Sequence, residues 1–210
     1  EQVYQRVLRF QAGAESAARS AAEHEALAAL PRPLGDDADF MLHMMRRYDK
    51  DFRFYVDVGN VDRDATLELL LHRDAMPGFN DSGAHITNMA FFDANLMSLK
   101  LAQADSLQTV ATMVRRLTRE PAEFFGLDVG SLDIGARADI AIVDPAALAD
   151  WDSNDTRKLE YRELFEHKQM VNRPEGVVSC VLINGEPVWR DGAFTAALGR
   201  EPLGRALRAA

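Results

Sequence analysis

The chain has 210 residues, of which 47% are hydrophobic and 27% charged, as is ordinary for a soluble globular protein. Its net charge of −9 argues against nucleic acid or an anionic membrane surface as a partner, and no apolar run reaches the roughly 18 residues that a membrane span needs. The single cysteine, Cys180, excludes an internal disulfide and favours a reducing, cytoplasmic compartment.

The N-terminal part of the chain is predicted to form two helical segments. Residues 1–30 are alanine-rich, and residues 31–35 interrupt them as a linker. A second helix is predicted after a cap at Asp36 or Asp37. Its larger apolar residues recur at helical spacing, which we interpret as a core face rather than a cofactor site: Phe40, Met41, Met44, Met45 and Tyr48. Because the chain begins at Glu1 rather than at methionine, we expect it to be a piece of a longer protein.

A βαβ unit is predicted next. Residues 52–58 alternate and are rich in β-formers, which predicts a strand. Asp62 or Asp64 is predicted to cap a helix that buries Leu67, Leu70 and Leu71. A second short strand is predicted around residues 76–80, with Pro77 at its first position because proline cannot donate to a ladder. Strand, helix and strand with tight connections predict a parallel sheet.

A further helix is predicted to begin at a Ser106 cap. Its single apolar face is predicted to consist of Leu107, Val110, Val114 and Leu117. Pro121 is predicted to end this helix and to start a further turn at residues 122–125, which Gly126 closes.

Short β-strands are predicted to replace the βα pattern beyond residue 127. A loop at residues 130–139 leads into an apolar strand, Ile140–Val143, and residues 150–174 are predicted to be a long surface excursion. Residues 177–183 and 186–190 are predicted to form a hairpin through the favoured turn Asn184-Gly185, with a second turn at Asp191-Gly192. Cys180 lies inside the first of these strands, which indicates a buried small hydrophobe rather than a nucleophile.

The main candidate for chemistry is Asp81, in the stretch Met76–His85. Active-site groups of α/β barrels gather at the C-terminal ends of strands, where Asp81 is predicted to lie. A helix cap or an Asx-turn explains the same residue types, so both interpretations remain open from the residues alone. His85 is either a structural histidine or a metal or substrate contact, and His72 near a helix end is interpreted as structural.

Several common catalytic patterns are absent from the sequence. There is no glycine-rich phosphate loop, no cysteine-pair zinc ribbon and no Gly-x-Ser-x-Gly elbow. The five histidines form neither a His-x-His pair nor an HExxH motif: His24, His43, His72, His85 and His167. A complete metal site from this chain alone is therefore not expected.

Gly78–His85 resembles the last barrel strand of the amidohydrolase superfamily, in the form found in N-acyl-D-amino acid deacylases (D-aminoacylases). Residues 117–127, 135–144 and 181–192 resemble, in order, that family's helix after the barrel, the return into its small β domain and its closing hairpin. The resemblance implies an α/β fold. Residues 1–127 would supply C-terminal βα units of a TIM-type (β/α)8 barrel with preceding helices, and residues 128–210 strands of a small β-sandwich domain and a tail.

The resemblance further implies a zinc-dependent hydrolase of the amide bond in N-acyl-D-amino acids. Asp81 corresponds to the family's aspartate that contacts the metal, takes a proton from the attacking water and returns it to the leaving amine. Ser82, Gly83 and His85 would line the same mouth and contact substrate.

The family's His-x-His pair, its bridging ligand and its two later histidines have no counterpart here. We therefore expect the C-terminal part of a larger enzyme, inactive alone, whose partners are a small-molecule N-acyl amino acid and either the missing N-terminal part or a second copy. Alternatives are an amidohydrolase acting on cyclic amides such as hydantoins or dihydropyrimidines, and a noncatalytic scaffold fragment.

Overall fold

The computed structural model describes residues 37–49, 60, 62–78, 93–153 and 155–209. The chain divides into two compact units, residues 1–59 and 60–210. In the first unit, helix α1 (Asp37–Tyr48) confirms the predicted second helix and buries Phe40 and Met44. Met45 is 51% exposed, so the buried stripe is narrower than predicted. The predicted helix over residues 1–30, the linker after it and the strand at 52–58 lie outside the described residues.

Side-chain caps begin the helices of the second unit at two of the predicted positions. Helix α2 (Arg63–Leu71) begins at Asp62, whose Oδ1 accepts a hydrogen bond from the Ala65 amide at 2.9 Å. Helix α3 (Ala94–Asp105) is followed at once by α4 (Leu107–Leu117), where the Ser106 hydroxyl accepts from the Thr109 amide at 3.1 Å. Both predicted caps are confirmed. The three leucines predicted as the buried face of α2 are only partly buried.

Helix α4 buries a different face from the predicted one. Leu107 is 85% exposed and Val114 46% exposed. The buried residues are Thr109, Met113 and Arg116, which recur at the i, i+4, i+7 spacing of one helix face. The prediction failed because it used apolar residues alone, whereas this face includes a hydroxyl and a guanidinium.

Helix α5 (Arg119–Phe124) contains Pro121 in its first turn, where proline is tolerated, rather than beginning after it. Its C-terminus is closed as predicted by Gly126, at φ +65°. The Leu127 amide donates to the Ala122 carbonyl at 2.8 Å and the Gly126 amide to the Glu123 carbonyl at 3.2 Å, the two bonds of a Schellman motif.

Four strands form one antiparallel sheet and are given next in the order in which they pair side by side. The strands are β1 (Ile140–Val143), β4 (Val178–Ile183), β5 (Glu186–Arg190) and β6 (Ala193–Phe194). The predicted hairpin is confirmed, with positive φ at both turn residues, 53° for Asn184 and 83° for Gly185. The second turn is also confirmed, with φ 52° at Asp191 and 82° at Gly192, and Cys180 is buried within β4.

The predicted surface excursion over residues 150–174 is wrong. Asp144 caps helix α6 (Pro145–Asp150), accepting from the amides of Ala146 and Ala147 at 2.8 and 3.0 Å. Strands β2 (Arg157–Arg162) and β3 (His167–Asn172) then form a separate antiparallel pair, joined through a 3₁₀ turn at Glu163–Phe165. The sequence did not predict this hairpin, because charged residues interrupt the apolar alternation that is typical of a strand.

The predicted second strand of the βαβ unit is also not observed where it can be checked. Met76, Pro77 and Gly78 are in neither strand nor helix, and the remaining two residues of that prediction lie outside the described ones. Every strand pairing among the described residues is antiparallel, so the predicted parallel sheet is not seen in them. The architecture of the described part is mixed α/β.

The core of the second unit joins α3 and α6 to the sheet. Leu148, Trp151 and Val177 form a buried cluster. Partly buried side chains pack against it, three of them from α3: Leu96, Met97, Leu99, Val143 and Ala147. In the part of the chain covered by the structure, no helix has the length and apolarity needed to cross a membrane.

Candidate functional site

The predicted site residues Asp81, Ser82, Gly83 and His85 lie outside the described residues, so their roles stay predictions. The structure does describe the segments on both sides of them. Residues 62–78 lead toward Asp81, and Asp93 begins the next described segment. Each of these flanking segments is tied by polar side chains to elements distant in sequence.

The segment before Asp81 is held by Arg116 of α4. Helix α2 ends at His72, whose amide donates to the Leu69 carbonyl at 3.2 Å. The His72 carbonyl then accepts two hydrogen bonds, from the Ala75 amide at 3.1 Å and from Arg116 Nη2 at 2.8 Å. The same Nη2 also donates to the Ala75 carbonyl. One guanidinium nitrogen thus joins both ends of the turn at residues 72–75, and we call this arrangement the Arg116 clamp.

Arg116 is buried to an unusual degree for its residue type. Its exposed fraction is 5%, and Nη1 lies 3.4 Å from Glu120 Oε2 on the next helix. The Nε atom is buried with no hydrogen-bond partner among the described residues. A buried charge needs an ion pair and hydrogen bonds to offset desolvation, and the two backbone carbonyls provide part of this compensation.

The segment after the predicted site residues begins with a buried hydrogen-bond network. Asp93 Oδ2 accepts from the Ser153 hydroxyl and, at 2.9 Å, from Asn172 Nδ2. Asn172 Nδ2 also lies 2.8 Å from Ser153 Oγ, and Asn172 Oδ1 accepts from the Thr156 hydroxyl. Trp151 Nε1 donates to Thr156 Oγ1 at 2.9 Å. We call these five residues the Asp93 network; it connects the start of α3 to α6 and β3.

Two further side chains of α3 strengthen this attachment. Lys100 Nζ donates to the carbonyl of Ala149, at 2.8 Å, and to that of Trp151. Gln103 Nε2 donates to the Pro145 carbonyl at 2.8 Å. These contacts reach carbonyl groups at both ends of α6 and so attach the second half of α3 to the short helix.

The described residues do not supply a metal site. Among them, no three His, Cys, Asp or Glu side chains lie close enough together to share an ion. His72 Nδ1 accepts from the Asp74 amide at 3.3 Å, which agrees with its predicted structural role, and His167 Nδ1 contacts the Phe165 carbonyl at 2.7 Å.

Three carboxyl groups of the described residues, those of Glu123, Asp139 and Glu160, have lowered pKa values. Burial acts to raise the pKa of Asp139, but hydrogen bonds from the Asn184 amide and Arg137 outweigh it and hold the pKa below its usual value. A hydrogen bond from Lys158 lowers the pKa of Glu160, and one from Arg119 lowers that of Glu123. Carboxylates stabilised as anions in this way are ion-pair partners rather than candidates for a general acid at neutral pH.

Comparison of the sequence with known proteins identifies the family to which the chain belongs. The amidohydrolase family matches residues 12–189, a range that includes the stretch around Asp81. The chain therefore belongs to the amidohydrolase family, a family of hydrolases. Proteins described as uncharacterized, from Mycobacterium bovis and from two strains of Mycobacterium tuberculosis, are 32% identical over 152 residues.

These alignments cover 70% of this chain and 24% of each relative, so the chain spans about a quarter of the length of the curated relatives it matches. No solved structure gives a significant match. The family match confirms the superfamily resemblance, and the deacylase branch stays a prediction.

Sequence patterns did not identify the buried polar residues that contact these flanking segments. Arg116 is next to a second arginine, Arg115, and its residue type does not indicate burial. The one signal in the sequence is its spacing from Thr109 and Met113, which puts the three residues on one helix face. Asn172 and Ser153 lie in the region that was predicted to be a surface excursion. Their partners are distant in sequence, and no local motif reports such contacts.

Proposed function

We propose that this chain is the C-terminal part of a metal-dependent hydrolase that cleaves the amide bond of N-acyl-D-amino acids. The observation that carries the proposal is the amidohydrolase match across residues 12–189, which includes Asn80-Asp81-Ser82-Gly83-Ala84-His85. In this proposal residues 1–127 belong to the C-terminal part of a (β/α)8 barrel, and residues 128–210 to the small β-sandwich domain and tail. The antiparallel sheet found beyond residue 139 is consistent with that division.

Asp81 is the proposed proton carrier. Its carboxylate accepts a proton from water as the water oxygen forms a bond to the amide carbon. The same proton then passes to the amide nitrogen as the carbon–nitrogen bond breaks, which releases a carboxylic acid and a free amine. When bound, zinc brings the pKa of a coordinated water near neutrality. Its ligands, apart from Asp81, come from the remainder of the parent protein, and Ser82, Gly83 and His85 contact the substrate.

The proposed hydrolase needs a substrate and the part of the protein that completes its active site. The substrate is a small N-acyl amino acid, and the active unit needs either the remaining part of the longer protein or a second copy that supplies it. The single, buried Cys180 is compatible with the reducing, cytoplasmic location that we propose. Nucleic acid and membrane surfaces are not proposed partners, because the net charge of −9 would repel both.

The test uses the full-length protein with zinc, assayed on N-acetyl-D-amino acids, N-acetyl-L-amino acids and a hydantoin. Asp81→Asn should lower kcat by about 10²- to 10⁴-fold, the usual contribution of a general acid–base, with little change in KM. Asp74→Asn is the matched control, because its carboxylate is exposed beside Arg73. Unchanged hydrolysis in Asp81→Asn would overturn the role of Asp81. Turnover of the cyclic amide alone, or of the L-series alone, would overturn the deacylase assignment.

A further inference from the structure

The Arg116 clamp holds backbone rather than side chains. Its Nη2 atom bonds to the carbonyls of His72 and Ala75 from a helix more than forty positions further along the chain. The side chains within that turn, Arg73 and Asp74, are exposed, so the turn is not fixed by packing of its own residues. Besides the turn's own hydrogen bonds from the Ala75 and Asp74 amides to His72, the contact that ties it to a distant helix is the guanidinium of Arg116.

The position of this turn determines where the next residues of the chain begin. After Ala75 the chain continues through Met76, Pro77 and Gly78 without helix or strand, so no ladder of backbone hydrogen bonds fixes these three residues. Asp81 comes three residues after Gly78. Among the described residues, the last hydrogen bond to a distant element before Asp81 is thus the one from Arg116 to the carbonyl of Ala75.

The cost of burying Arg116 supports a role beyond packing. At the same helix face Met113 is fully buried, and a second methionine or leucine would fill such a position without a charge to desolvate. Glu120, its carboxylate partner, is only partly buried, and Nε has no partner among the described residues. A guanidinium is the side chain that can reach two carbonyls with a fixed planar geometry.

We propose that Arg116 is a positioning residue for Asp81: by tying the turn at residues 72–75 to α4, it sets the place from which the chain enters the catalytic stretch. The inference rests on the proposed function of Asp81. Misplacing a catalytic group by about 1 Å costs up to roughly a hundredfold in rate, so loss of the clamp should act on kcat rather than on substrate binding.

The experiment compares four variants of the full-length protein, assayed with zinc on an N-acetyl-D-amino acid. Arg116→Met removes the clamp and keeps an unbranched side chain of similar length, and Arg116→Lys keeps the charge without the planar fork. Arg115→Met is the matched control, because Arg115 also lies near Glu120, at 3.6 Å, but is exposed. Met113→Ala destabilises the same buried face without touching the clamp, which separates lost stability from lost position.

Arg116→Met should lower kcat by roughly ten- to a hundredfold with KM changed less than about threefold, as loss of positioning predicts. Arg116→Lys should recover part of this loss, and Arg115→Met and Met113→Ala, corrected for folded fraction, should keep parental kcat. Amide hydrogen exchange at residues 72–78 should accelerate in Arg116→Met and not in Arg115→Met, a readout that needs no substrate. Faster exchange with unchanged kcat would overturn the inference.

A double-mutant cycle with Asp81→Asn completes the test. If Arg116 acts through Asp81, adding Arg116→Met to Asp81→Asn should cause no further loss of kcat. If Arg116→Met caused the same fractional loss of kcat with and without Asp81→Asn, Arg116 would act independently of Asp81. That result would overturn the positioning role and leave the proposed function of Asp81 standing. An Asp81→Asn variant with parental activity overturns instead the proposed function, so the two failures are distinguishable.

Discussion

Substitution of Asn172 tests the Asp93 network most directly, because replacing its Nδ2 atom with oxygen turns a hydrogen-bond donor into an acceptor. The residue is 6% exposed, and its Nδ2 donates to Asp93 Oδ2 at 2.9 Å and contacts Ser153 Oγ at 2.8 Å. Asn172→Asp keeps the shape but replaces this donor with a carboxyl oxygen. Two carboxyl groups would then face each other about 3 Å apart, where both cannot ionise without a large penalty.

The loss of folding stability in Asn172→Asp follows from the two hydrogen bonds that it removes. A hydrogen bond to a charged group contributes roughly 1.5–3 kcal/mol and a neutral one about 1 kcal/mol, so loss of both predicts destabilisation of about 3 kcal/mol. The Asp93 carboxylate raises the pKa of the introduced carboxyl above its unfolded value of about 3.9. The stability deficit is therefore small near pH 4, grows as the pH rises above the unfolded pKa, and is complete above the folded pKa.

The assay is amide hydrogen exchange of the full-length protein at pH 5 and pH 8, with variant and parent compared at each pH over residues 93–105 and 151–172. Asn172→Asp should lose more protection at pH 8 than at pH 5. Asn95→Asp is the matched control: Asn95 is exposed in the first turn of α3, where an added carboxylate favours the helix dipole. Equal losses at both pH values, or losses equal to the control, would refute the described network.

Two other features yield further predictions. A Cβ at Gly130 would lie 2.7 Å from the Thr118 carbonyl oxygen at φ +87°, whereas Gly192, at φ +82°, has open space around it. Gly192→Ala should therefore cost about 1 kcal/mol from backbone strain alone and Gly130→Ala clearly more, and equal shifts in Tm would contradict the described contact. Because the pKa of Asp139 is lowered, its contribution to stability is present at neutral pH and lost as the pH falls below about 4. Acid-unfolding curves of Asp139→Asn should lack this component, and curves parallel to the parent's would contradict it.

Predictions from the sequence were correct where the deciding contacts are local. Asp62 and Ser106 each bond an amide three residues away, and Asn184-Gly185 determines its turn by its own backbone preferences. Helix caps and tight turns are determined by residues within a few positions of one another, so the local sequence is enough to predict them. The same holds for Gly126 at the end of α5.

Predictions failed where a charged or amide side chain takes a buried position. Arg116 lies on the buried face of α4, which differs from the apolar face that was predicted, and β3 buries Gln169 and Asn172 where a solvent-exposed stretch was expected. Hydrophobic periodicity cannot detect such positions, because burial of a polar group depends on partners far along the chain. Asp93, for example, meets Ser153 and Asn172 across 60 and 79 positions.

The two failures lie on either side of the same stretch. Arg116 holds the chain before Asp81, and Asp93 begins the chain after the predicted site residues. Buried polar networks often add less to stability than apolar packing of equal volume, and in some proteins they restrict the backbone to one arrangement. A catalytic carboxylate needs that restriction, since its rate depends on position far more than on the stability of the fold. The Arg116 double-mutant cycle and the Asn172→Asp exchange experiment therefore test independently the two described segments that flank the proposed catalytic stretch.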